Sequence, residues 1–326
     1  MSKPLQSKPL HGKIALVAGA TRGAGRGIAI ELALAGATVY CTGRSSSADP
    51  HRSPRATSRD PFALESRPET IEETAAIIGA AGGSAIAIRT DHSDEGEVRA
   101  LCERIAREHG RLDVLVNDIW GGDELSEWGK AFWELDLDKG FRMLARAINT
   151  HVVTSRYTIP LMLAGQGGLI VEVTDGGAMH YRGNAFYDLA KSGVTRLAFG
   201  LAEELRERSI AVVAVSPGFL RSEAMLEHFG VEETNWRDAV KTDPHFASSE
   251  TPRYVGRAIA ALAGDPDVRG KSGRGYGSWQ LQVEYGFTDL DGATPNWGAH
   301  ARQHKFGIEQ AASNQRFLRM FVAGTT

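Results

Sequence analysis

Apolar and polar positions follow each other along the chain in blocks that predict alternating strands and helices. Short apolar runs, typical of strands buried in a parallel sheet, are separated by longer stretches with helical periodicity. The predicted strands are Ile14–Ala18, Thr38–Thr42, Ser84–Ile88, Asp113–Asn117, Leu169–Val173 and Ala211–Val215. The predicted helices cover about 25–35, 69–81, 94–109, 139–164 and 184–207. This alternation predicts an α/β fold, a single doubly wound parallel sheet (Rossmann fold) with helices on both faces.

The pattern becomes irregular after Pro217. Two helical pieces, near 222–229 and near 252–263, precede a tail that is rich in glycine and aromatic residues. No linker separates this part from the rest, so we expect one Rossmann-type domain over 1–326 with an irregular C-terminal extension. The core would cover about 10–230, and the substrate-loop and C-terminal region about 218–326.

Composition and charge narrow the class of protein. Hydrophobic residues make up 42% and charged residues 24% of the 326 positions, as in an ordinary soluble globular protein. The net charge of −3 favours neither nucleic acid nor an anionic membrane surface as a partner. No apolar run reaches the roughly 18 residues of a membrane span, and no signal-peptide pattern opens the chain. We therefore expect a cytoplasmic protein in which Cys41 and Cys102 are reduced thiols, with a single disulfide as the alternative.

A glycine-rich turn follows the first predicted strand and opens the first helix. Its glycines let the backbone approach a pyrophosphate, which then rests on the N-terminus of the helix. The turn therefore predicts a dinucleotide cofactor. The residues expected to bind it are Gly19, Thr21, Arg22, Gly23, Ala24 and Gly25.

The second strand indicates which dinucleotide is preferred. An NAD site usually has a carboxylate at the end of this strand to bond the ribose hydroxyls, but here Gly43 and Arg44 follow it. Arg44 and Arg22 offer planar donors that suit the 2′-phosphate of NADP, although both could be solvated surface charges. Asp91, after the third strand, would bond the adenine amino group or cap the next helix. The predicted cofactor is NADP (NADPH).

Tyr187 and Lys191 are the candidate catalytic pair. Residues four positions apart share one face of a helix, so the phenol and the ammonium group point the same way. A dinucleotide-binding turn followed by such a pair indicates a tyrosine that transfers protons beside a nicotinamide.

These features occur in the order and spacing of the short-chain dehydrogenases/reductases, which the chain resembles over about residues 10 to 230. The resemblance rests on Ala18-Gly19-x-x-x-Gly23-x-Gly25, Asp91, Asn117, Tyr187-x-x-x-Lys191 and Pro217-Gly218. Within the family the chain is most similar to the branch of dehydrogenase/reductase family member 1, through Ala131-Phe132-Trp133-Glu134, Ala164-Gly165-Gln166-Gly167 and the tail from Tyr285 to Gly292.

The resemblance implies an oxidoreductase that passes a hydride between the nicotinamide and a carbonyl or secondary alcohol. Tyr187 would be the general acid/base. Lys191 would bond the nicotinamide ribose and, with the positive ring of the oxidised cofactor, favour the phenolate and lower the tyrosine pKa from its usual ~10. Asn117, Pro217 and Gly218 would complete the cofactor site. The resemblance also implies a homodimer or homotetramer built from helices 139–164 and 184–207.

The chain departs from the family pattern at two positions. Such enzymes usually place a serine, which bonds the substrate oxygen, about thirteen residues before the tyrosine; here Thr174 and Asp175 are both candidates. Asp175 would oppose the phenolate if ionised, would donate a hydrogen bond if protonated, or would turn away to cap the next loop. The asparagine that usually supports a proton-relay water is replaced by Ala147, and Asn149 lies about 200° away around a helix.

Several large apolar side chains fall in loops after strand ends, where open α/β sheets bind ligands. They favour an apolar substrate that bears a carbonyl or alcohol. These side chains are Trp128, Phe132, Trp133, Met179, Tyr181, Phe219, Met225 and Phe229. Trp120 would narrow the space beside the cofactor or fill the core. Histidines 151, 180 and 228 lack metal-ligand spacing, so no catalytic metal is expected.

Two other functions remain open alternatives. One is an NAD-preferring alcohol dehydrogenase. The other is an NADP-binding sensor or scaffold with little turnover, which the missing serine and asparagine favour and the intact Tyr187 and Lys191 oppose.

Overall fold

The computed structural model describes residues 8–48, 60–64, 67–175, 180–304, 312–313, 315–317 and 319. Its strands are β1 (Ile14–Ala18), β2 (Thr38–Gly43), β3 (Ser84–Arg89), β4 (Val114–Asn117), β5 (Gly168–Val173), β6 (Ile210–Ser216), β7 (Phe219–Leu220), β8 (Ser249–Glu250) and β9 (Gly275–Gly277). Seven of them form a parallel sheet in the order β3-β2-β1-β4-β5-β6-β9, and β7 pairs with β8 separately.

The helices connect these strands and cover both faces of the sheet. They are α1 (Gly23–Leu34), α2 (Ile71–Ala80), α3 (Glu95–His109), α4 (Leu137–Leu144), α5 (Thr150–Leu163), α6 (Ala185–Glu204), α7 (Glu223–His228), α8 (Pro252–Gly264), α9 (Ser278–Tyr285) and α10 (Trp297–Gln303). Short 3-10 segments occur at Asp123–Leu125, Phe132–Glu134, Trp236–Lys241, Pro244–Ser248 and Val268–Lys271.

Two apolar cores lie on the two faces of the sheet. Successive side chains of a strand point to opposite faces, so Val17 belongs to one core and Leu16 to the other. The first core contains Ile28 of α1 and Ile259 of α8. The second is formed against α3, α5 and α6. Because the strands are buried on both faces, their sequences are continuous apolar runs, and the predicted Rossmann fold is confirmed.

The stretch predicted as one helix over 139–164 is divided. It begins at Leu137 as α4, passes through a π-helical turn at Ala145–Asn149, and continues as α5. A π turn adds one residue to the helical repeat and rotates the side chains that follow it. Hydrophobic periodicity alone does not reveal such an insertion.

The C-terminal region is more regular than predicted. β9 pairs with the edge strand β6 through Ala214↔Gly275 to Ser216↔Gly277, and α9 follows directly. The sequence of β9, Gly275-Tyr276-Gly277, has no apolar run, and glycine is depleted in strands, so its pattern does not predict a strand.

The structure bears on the expectations about the two cysteines and about membrane spans. Cys41 and Cys102 are both buried as free thiols, which rules out the disulfide alternative. Within the described part of the chain, no helix is long and apolar enough to cross a membrane.

Candidate active site

A cavity of about 1420 Å³ opens at the carboxyl ends of the central strands. In a parallel sheet these ends meet along one edge, which is where open α/β proteins bind their ligands. Residues that follow successive strands line it: Gly19 after β1, Arg44 after β2, Asp91 after β3, Asp118 after β4 and Thr174 after β5. Pro217 and Gly218, after β6, complete this edge.

The glycine-rich turn forms one wall of the cavity. Gly19 has a φ of +96°, and a Cβ there would lie 2.3 Å from the backbone oxygen of Asp118. A Cβ at Gly25 would lie 2.2 Å from the backbone oxygen of Gly19. Glycine is therefore required at both positions, and the turn keeps the flat backbone that a pyrophosphate needs. Thr21, Arg22, Gly23 and Ala24 also line the cavity.

The N-terminus of α1 already binds an anionic group. The backbone N–H of Gly23 donates to Glu223 Oε2 at 2.8 Å, and Arg26 Nη1 lies 3.5 Å from Glu223 Oε1. Free N–H groups and the helix dipole favour negative charge at this point. Glu223 and a pyrophosphate would compete for the same N–H group.

Arg22 and Arg44 lie in the cavity beside the end of β2, and Asp91 lies near them. Burial lowers the pKa of the Arg22 guanidinium, and the Glu69 carboxylate opposes that effect. Asp91 accepts hydrogen bonds from the backbone N–H and the hydroxyl of Ser93, at 2.9 and 2.6 Å.

One interpretation proposed that Asp91 caps the following helix, but the structure shows that it does not. The residue that caps α3 is Asp94, whose side chain accepts from the N–H of Glu97. The helix-cap interpretation of Asp91 is therefore wrong.

Tyr187 lies in the first turn of α6, next to the end of β5. The side chain of Asn184 caps the helix by accepting from the N–H of Tyr187 at 3.0 Å. The phenol donates to Asp175 Oδ2 at 2.8 Å. The guanidinium of Arg182 donates to the backbone oxygen of Asp175, at 3.1 Å from Nε and 2.6 Å from Nη2. The phenol and carboxylate are thus held together at the cavity wall.

Burial raises the pKa of Tyr187 well above its usual value, and the charge and hydrogen bond of Asp175 raise it further. The family resemblance implied the opposite direction, from Lys191 together with the positive ring of the oxidised cofactor, whereas the residues of the chain itself raise the pKa. Arg182 opposes the rise, but a carboxylate in direct contact and the loss of hydration outweigh it. The phenol is accordingly held in its protonated form.

Thr174, the other candidate for the serine position, bonds elsewhere. Its hydroxyl donates to the backbone oxygen of Lys191 at 2.9 Å and so ties the end of β5 to α6. Of the two adjacent residues, Asp175 contacts the phenol. Asp175 therefore does not turn away from the site, and the loop that it would have capped, 176–179, lies outside the described residues.

The ammonium group of Lys191 lies over the ring of Trp120. Its Nζ is 3.8 Å from the ring centre of Trp120 and 5.4 Å from that of Tyr187. Burial lowers the pKa of Lys191, while Asp175, Asp123 and Asp118 oppose that effect. Trp120 lines the cavity and also packs on a small core beside α4 and α6, so its core role is confirmed and its place beside a cofactor stays a prediction.

Asn117 points into a buried polar network below the cavity. Its Nδ2 donates to Glu172 Oε1 at 2.8 Å and to Ser155 Oγ at 3.0 Å. His151 Nδ1 lies 2.5 Å from Glu172 Oε2, and His151 Nε2 lies 3.0 Å from the backbone oxygen of Ile119. The amide nitrogen of Asn117 is thus engaged in this network, and Asn117 is not among the residues that line the cavity.

The relay position is apolar. Ala147 is buried in the small core beside α4 and α6, and Asn149 is exposed. Asn149 thus has no access to the cavity, in agreement with its predicted angle around the helix.

Two buried carboxyl groups beside the cavity were missed from the sequence. Burial raises the pKa of Asp118 to about 7, although Lys191 and His151 oppose it; its carboxylate accepts from the N–H of Gly25. Burial likewise raises the pKa of Glu250 to about 8, and it accepts from Gly218 N–H and from the Ser278 hydroxyl. Neither carboxyl belongs to a recognised motif, so only the tertiary structure reveals them.

The predicted apolar side chains are only partly gathered at the cavity. Trp128, Tyr181, Phe219 and Met225 line it, and so does Trp120. Phe62, Trp279 and Trp297 also line it, and the sequence did not indicate these three. Phe132 packs on Phe186, Phe229 packs on Phe246, and Trp133 is 85% exposed. Met179 lies outside the described residues.

Comparisons with known proteins agree with this geometry. The profile of the short chain dehydrogenase family matches residues 56–230. Dehydrogenase/reductase SDR family member 1 of Mus musculus is 35% identical over 289 residues, which cover 87% of this chain and 85% of that protein. The protein of the same name from Homo sapiens is 34% identical over 288 residues, with 87% and 85% covered. A crystal structure of a short chain dehydrogenase from Mycobacterium thermoresistibile has a TM-score of 0.69 at 24% identity, covering 89% of this chain and 92% of that one. The resemblance indicated by the motifs is confirmed.

Proposed function

Because the chain belongs to the short-chain dehydrogenase/reductase family of oxidoreductases, we propose that it transfers a hydride between NADP and a carbonyl or secondary alcohol. The observation that carries this proposal is the Tyr187 phenol, which donates to Asp175 at the wall of a cavity lined by the glycine-rich turn and Lys191.

The residues present fit the dinucleotide. The turn at Gly19 and Gly25 has no room for a Cβ, and the first N–H of α1 already binds a carboxylate. Arg22 and Arg44 line the end of the cavity where β2 terminates without a carboxylate of its own. Their guanidinium groups would hold the 2′-phosphate of NADP. Asp91 would bond the adenine amino group.

Bound NADPH would supply the hydride, and Tyr187 the proton. In the direction of reduction, the phenol donates its proton to the carbonyl oxygen as the oxygen gains negative charge. A raised pKa keeps the phenol protonated at neutral pH, which suits this role. Lys191, held over Trp120, would stabilise the phenolate that remains and would bond the nicotinamide ribose.

Asp175 takes the place of the usual serine. Its carboxyl group is adjacent to the point where the substrate oxygen must approach Tyr187. As a neutral acid it would donate a hydrogen bond to that oxygen. As a carboxylate it would hold the phenol proton and slow its transfer. The second state favours the alternative function, an NADP-binding protein with little turnover.

The cofactor assignment is tested by fluorescence titration with NADPH and NADH. We expect tighter binding of NADPH, and we expect Arg44→Ala to weaken NADPH binding by about tenfold or more, since a charge-assisted bond to phosphate contributes about 1.5–3 kcal/mol. NADH binding should change little. Arg104→Ala, which removes an exposed arginine paired with Glu108 on α3, is the control. If Arg44→Ala has the same ratio of NADPH to NADH affinity as the wild type, an NAD-preferring alcohol dehydrogenase would be the better interpretation.

Turnover is tested on a panel of apolar aldehydes and ketones. The activity should depend on Tyr187, so Tyr187→Phe, which keeps the ring between Trp120 and Trp128, should lose most of it. Tight NADPH binding without turnover on any compound would instead support the sensor or scaffold.

We also infer a homodimer or homotetramer. Exposed apolar side chains occur on the helices that the family resemblance implicates, at Phe141 of α4, Val152 and Leu163 of α5, and Leu189 and Phe199 of α6. Burial of such side chains against a second copy would remove them from water.

A further inference from the structure

Three histidines meet at a point that the proposed chemistry does not use. They lie where α10 packs on the 3-10 segment Pro244–Ser248. Ligand nitrogens of His245, His300 and His304 are all within 4.8 Å of one another. His300 lies in α10 and His304 is the residue that follows the helix, with their ring centres 4.2 Å apart, whereas His245 is 55 residues away from His300 along the chain.

We propose that these three imidazoles form a binding site for a divalent transition-metal ion, with Zn²⁺ as the ion they suit best. Imidazole nitrogen is a ligand for zinc, copper, nickel and cobalt, whereas magnesium and calcium require oxygen. Three histidines are a sufficient protein ligand set for a tetrahedral zinc ion, and the fourth position is then filled by water.

The distance between His245 and His300 is close to the one that a metal requires. Two imidazole nitrogens bound to one tetrahedral zinc ion, each at ~2.0–2.1 Å, lie about 3.3 Å apart. His245 Nδ1 and His300 Nε2 are 3.0 Å apart and share one proton. Zinc would replace that proton while the pair separates by a few tenths of an ångström. His304, the exposed residue that follows α10, has its ring centre 4.2 Å from that of His300, and its ligand nitrogen would have to move closer to the other two when an ion binds.

Neighbouring groups orient the ring of His300 and fix the backbone that carries His245. Trp297 stacks on His300, with ring centres 5.4 Å apart and planes at 22°. Asp243 accepts from the backbone N–H of His245 at 2.9 Å, which places a carboxylate at the start of the 3-10 segment. Ligands that are held in this way lose less freedom when an ion binds.

Metal binding at this site would fix part of the wall of the active-site cavity. Asp243, Trp297, Ala301 and Arg302 line that cavity, and they lie on the two elements that carry the histidines. A bound ion would connect α10 to Pro244–Ser248 and so fix the wall against which a substrate packs.

Metal binding is tested on the full-length protein after treatment with a chelator. Titration with Co²⁺, followed by the visible absorption of tetrahedral cobalt, and with Zn²⁺ by calorimetry should show one ion per chain. His245→Ala, His300→Ala and His304→Ala should each weaken binding by at least about tenfold, since a change in ligand support alone has that effect. Zn²⁺ should raise the Tm of the wild type and not that of His304→Ala.

His11→Ala is the matched control, because it removes an exposed histidine outside the cluster. His304→Ala is the decisive variant, since an exposed ring at a helix end can be removed without loss of the fold. The proposal is overturned if the wild type shows no saturable binding, or if His11→Ala weakens binding as much as His304→Ala does. These measurements need no substrate, so their outcome is separate from that of the oxidoreductase proposal.

Discussion

A carboxylate, and not a hydroxyl, accepts the hydrogen bond of the Tyr187 phenol. The neighbouring hydroxyl of Thr174 is directed to the backbone of Lys191. From the sequence the two residues were equivalent candidates, because a change of one residue in loop length exchanges them. The direction of the Asp175 side chain therefore decides whether the site retains the Tyr187 proton or passes it to a substrate.

Two substitutions of Asp175 separate these roles. If Asp175 is a neutral donor to the substrate oxygen, Asp175→Asn should stay within about tenfold of wild-type kcat, because the amide still donates. Asp175→Ala should lose about 100-fold, as removal of one oxyanion donor does elsewhere. Steady-state kinetics with NADPH and the best carbonyl substrate measures both.

The control is Asp138→Asn, an exposed aspartate in the first turn of α4. Equal rates for the two Asp175 variants would remove this carboxyl from the mechanism. A faster Asp175→Asn than wild type would show that the carboxylate restrains the phenol proton.

At the scale of elements, the crossing of α1 and α8 supports the cofactor turn. A Cβ at Gly256 of α8 would lie 2.5 Å from the backbone oxygen of Gly27 in α1. Arg253 and Arg257 of α8 also reach Glu31 of α1, at 2.7 and 3.1 Å. The close approach of the two backbones therefore fixes α1, whose N-terminus opens onto the cavity.

Gly256→Ala should disturb this crossing. We expect a loss of about 1–3 kcal/mol in the free energy of unfolding, because an added methyl group in a tight contact forces the helices apart. NADPH binding should weaken with it. Urea unfolding and cofactor titration measure the two effects.

Gly79→Ala in α2 is the control, since a Cβ there would meet nothing within 4 Å. It should be neutral or stabilising by about 0.5–1 kcal/mol, because alanine favours a helix. Similar losses in both variants would show that the crossing is not the cause.

At the scale of the whole molecule, buried ionisable groups couple stability to pH. Burial raises the pKa of Asp118 to about 7 and that of Glu250 to about 8. The folded state then keeps protons that the unfolded chain releases, so stability falls as pH rises toward these values. Burial has the opposite effect on His92, whose pKa is lowered to about 3. His92 therefore lowers the stability of the fold as pH falls below the usual pKa of 6.5, because the unfolded chain binds a proton that the folded chain does not. Between pH 6.5 and 8, the change of stability with pH therefore comes from the carboxyl groups of Asp118 and Glu250.

Glu250→Gln should flatten the pH dependence in that window. Each carboxyl lowers the free energy of unfolding by up to about 1.4 kcal/mol per pH unit, and glutamine has no proton to release. Urea unfolding at several pH values between 6.5 and 8 gives the two slopes. Glu204→Gln, an exposed carboxyl on α6, should keep the wild-type slope. Identical slopes for Glu250→Gln and the wild type would contradict the raised pKa.

Local pattern determined the strands and the motifs of this protein. Six strands were predicted to within one residue at each end, because the strands of a parallel sheet covered on both faces are predominantly apolar runs. The glycine-rich turn and the Tyr187–Lys191 pair were equally visible, since a tight backbone approach and a shared helix face impose fixed spacings.

Only the tertiary structure decided what depends on packing across the chain. It paired the glycine-rich β9 with β6, directed Asp175 and not Thr174 at Tyr187, and surrounded the phenol with the burial and the carboxylate that raise its pKa. It also brought His245 to His300 and His304. Burial and long-range contact set these properties, and neither has a local signature, because each depends on residues that are distant along the chain and adjacent only in the fold.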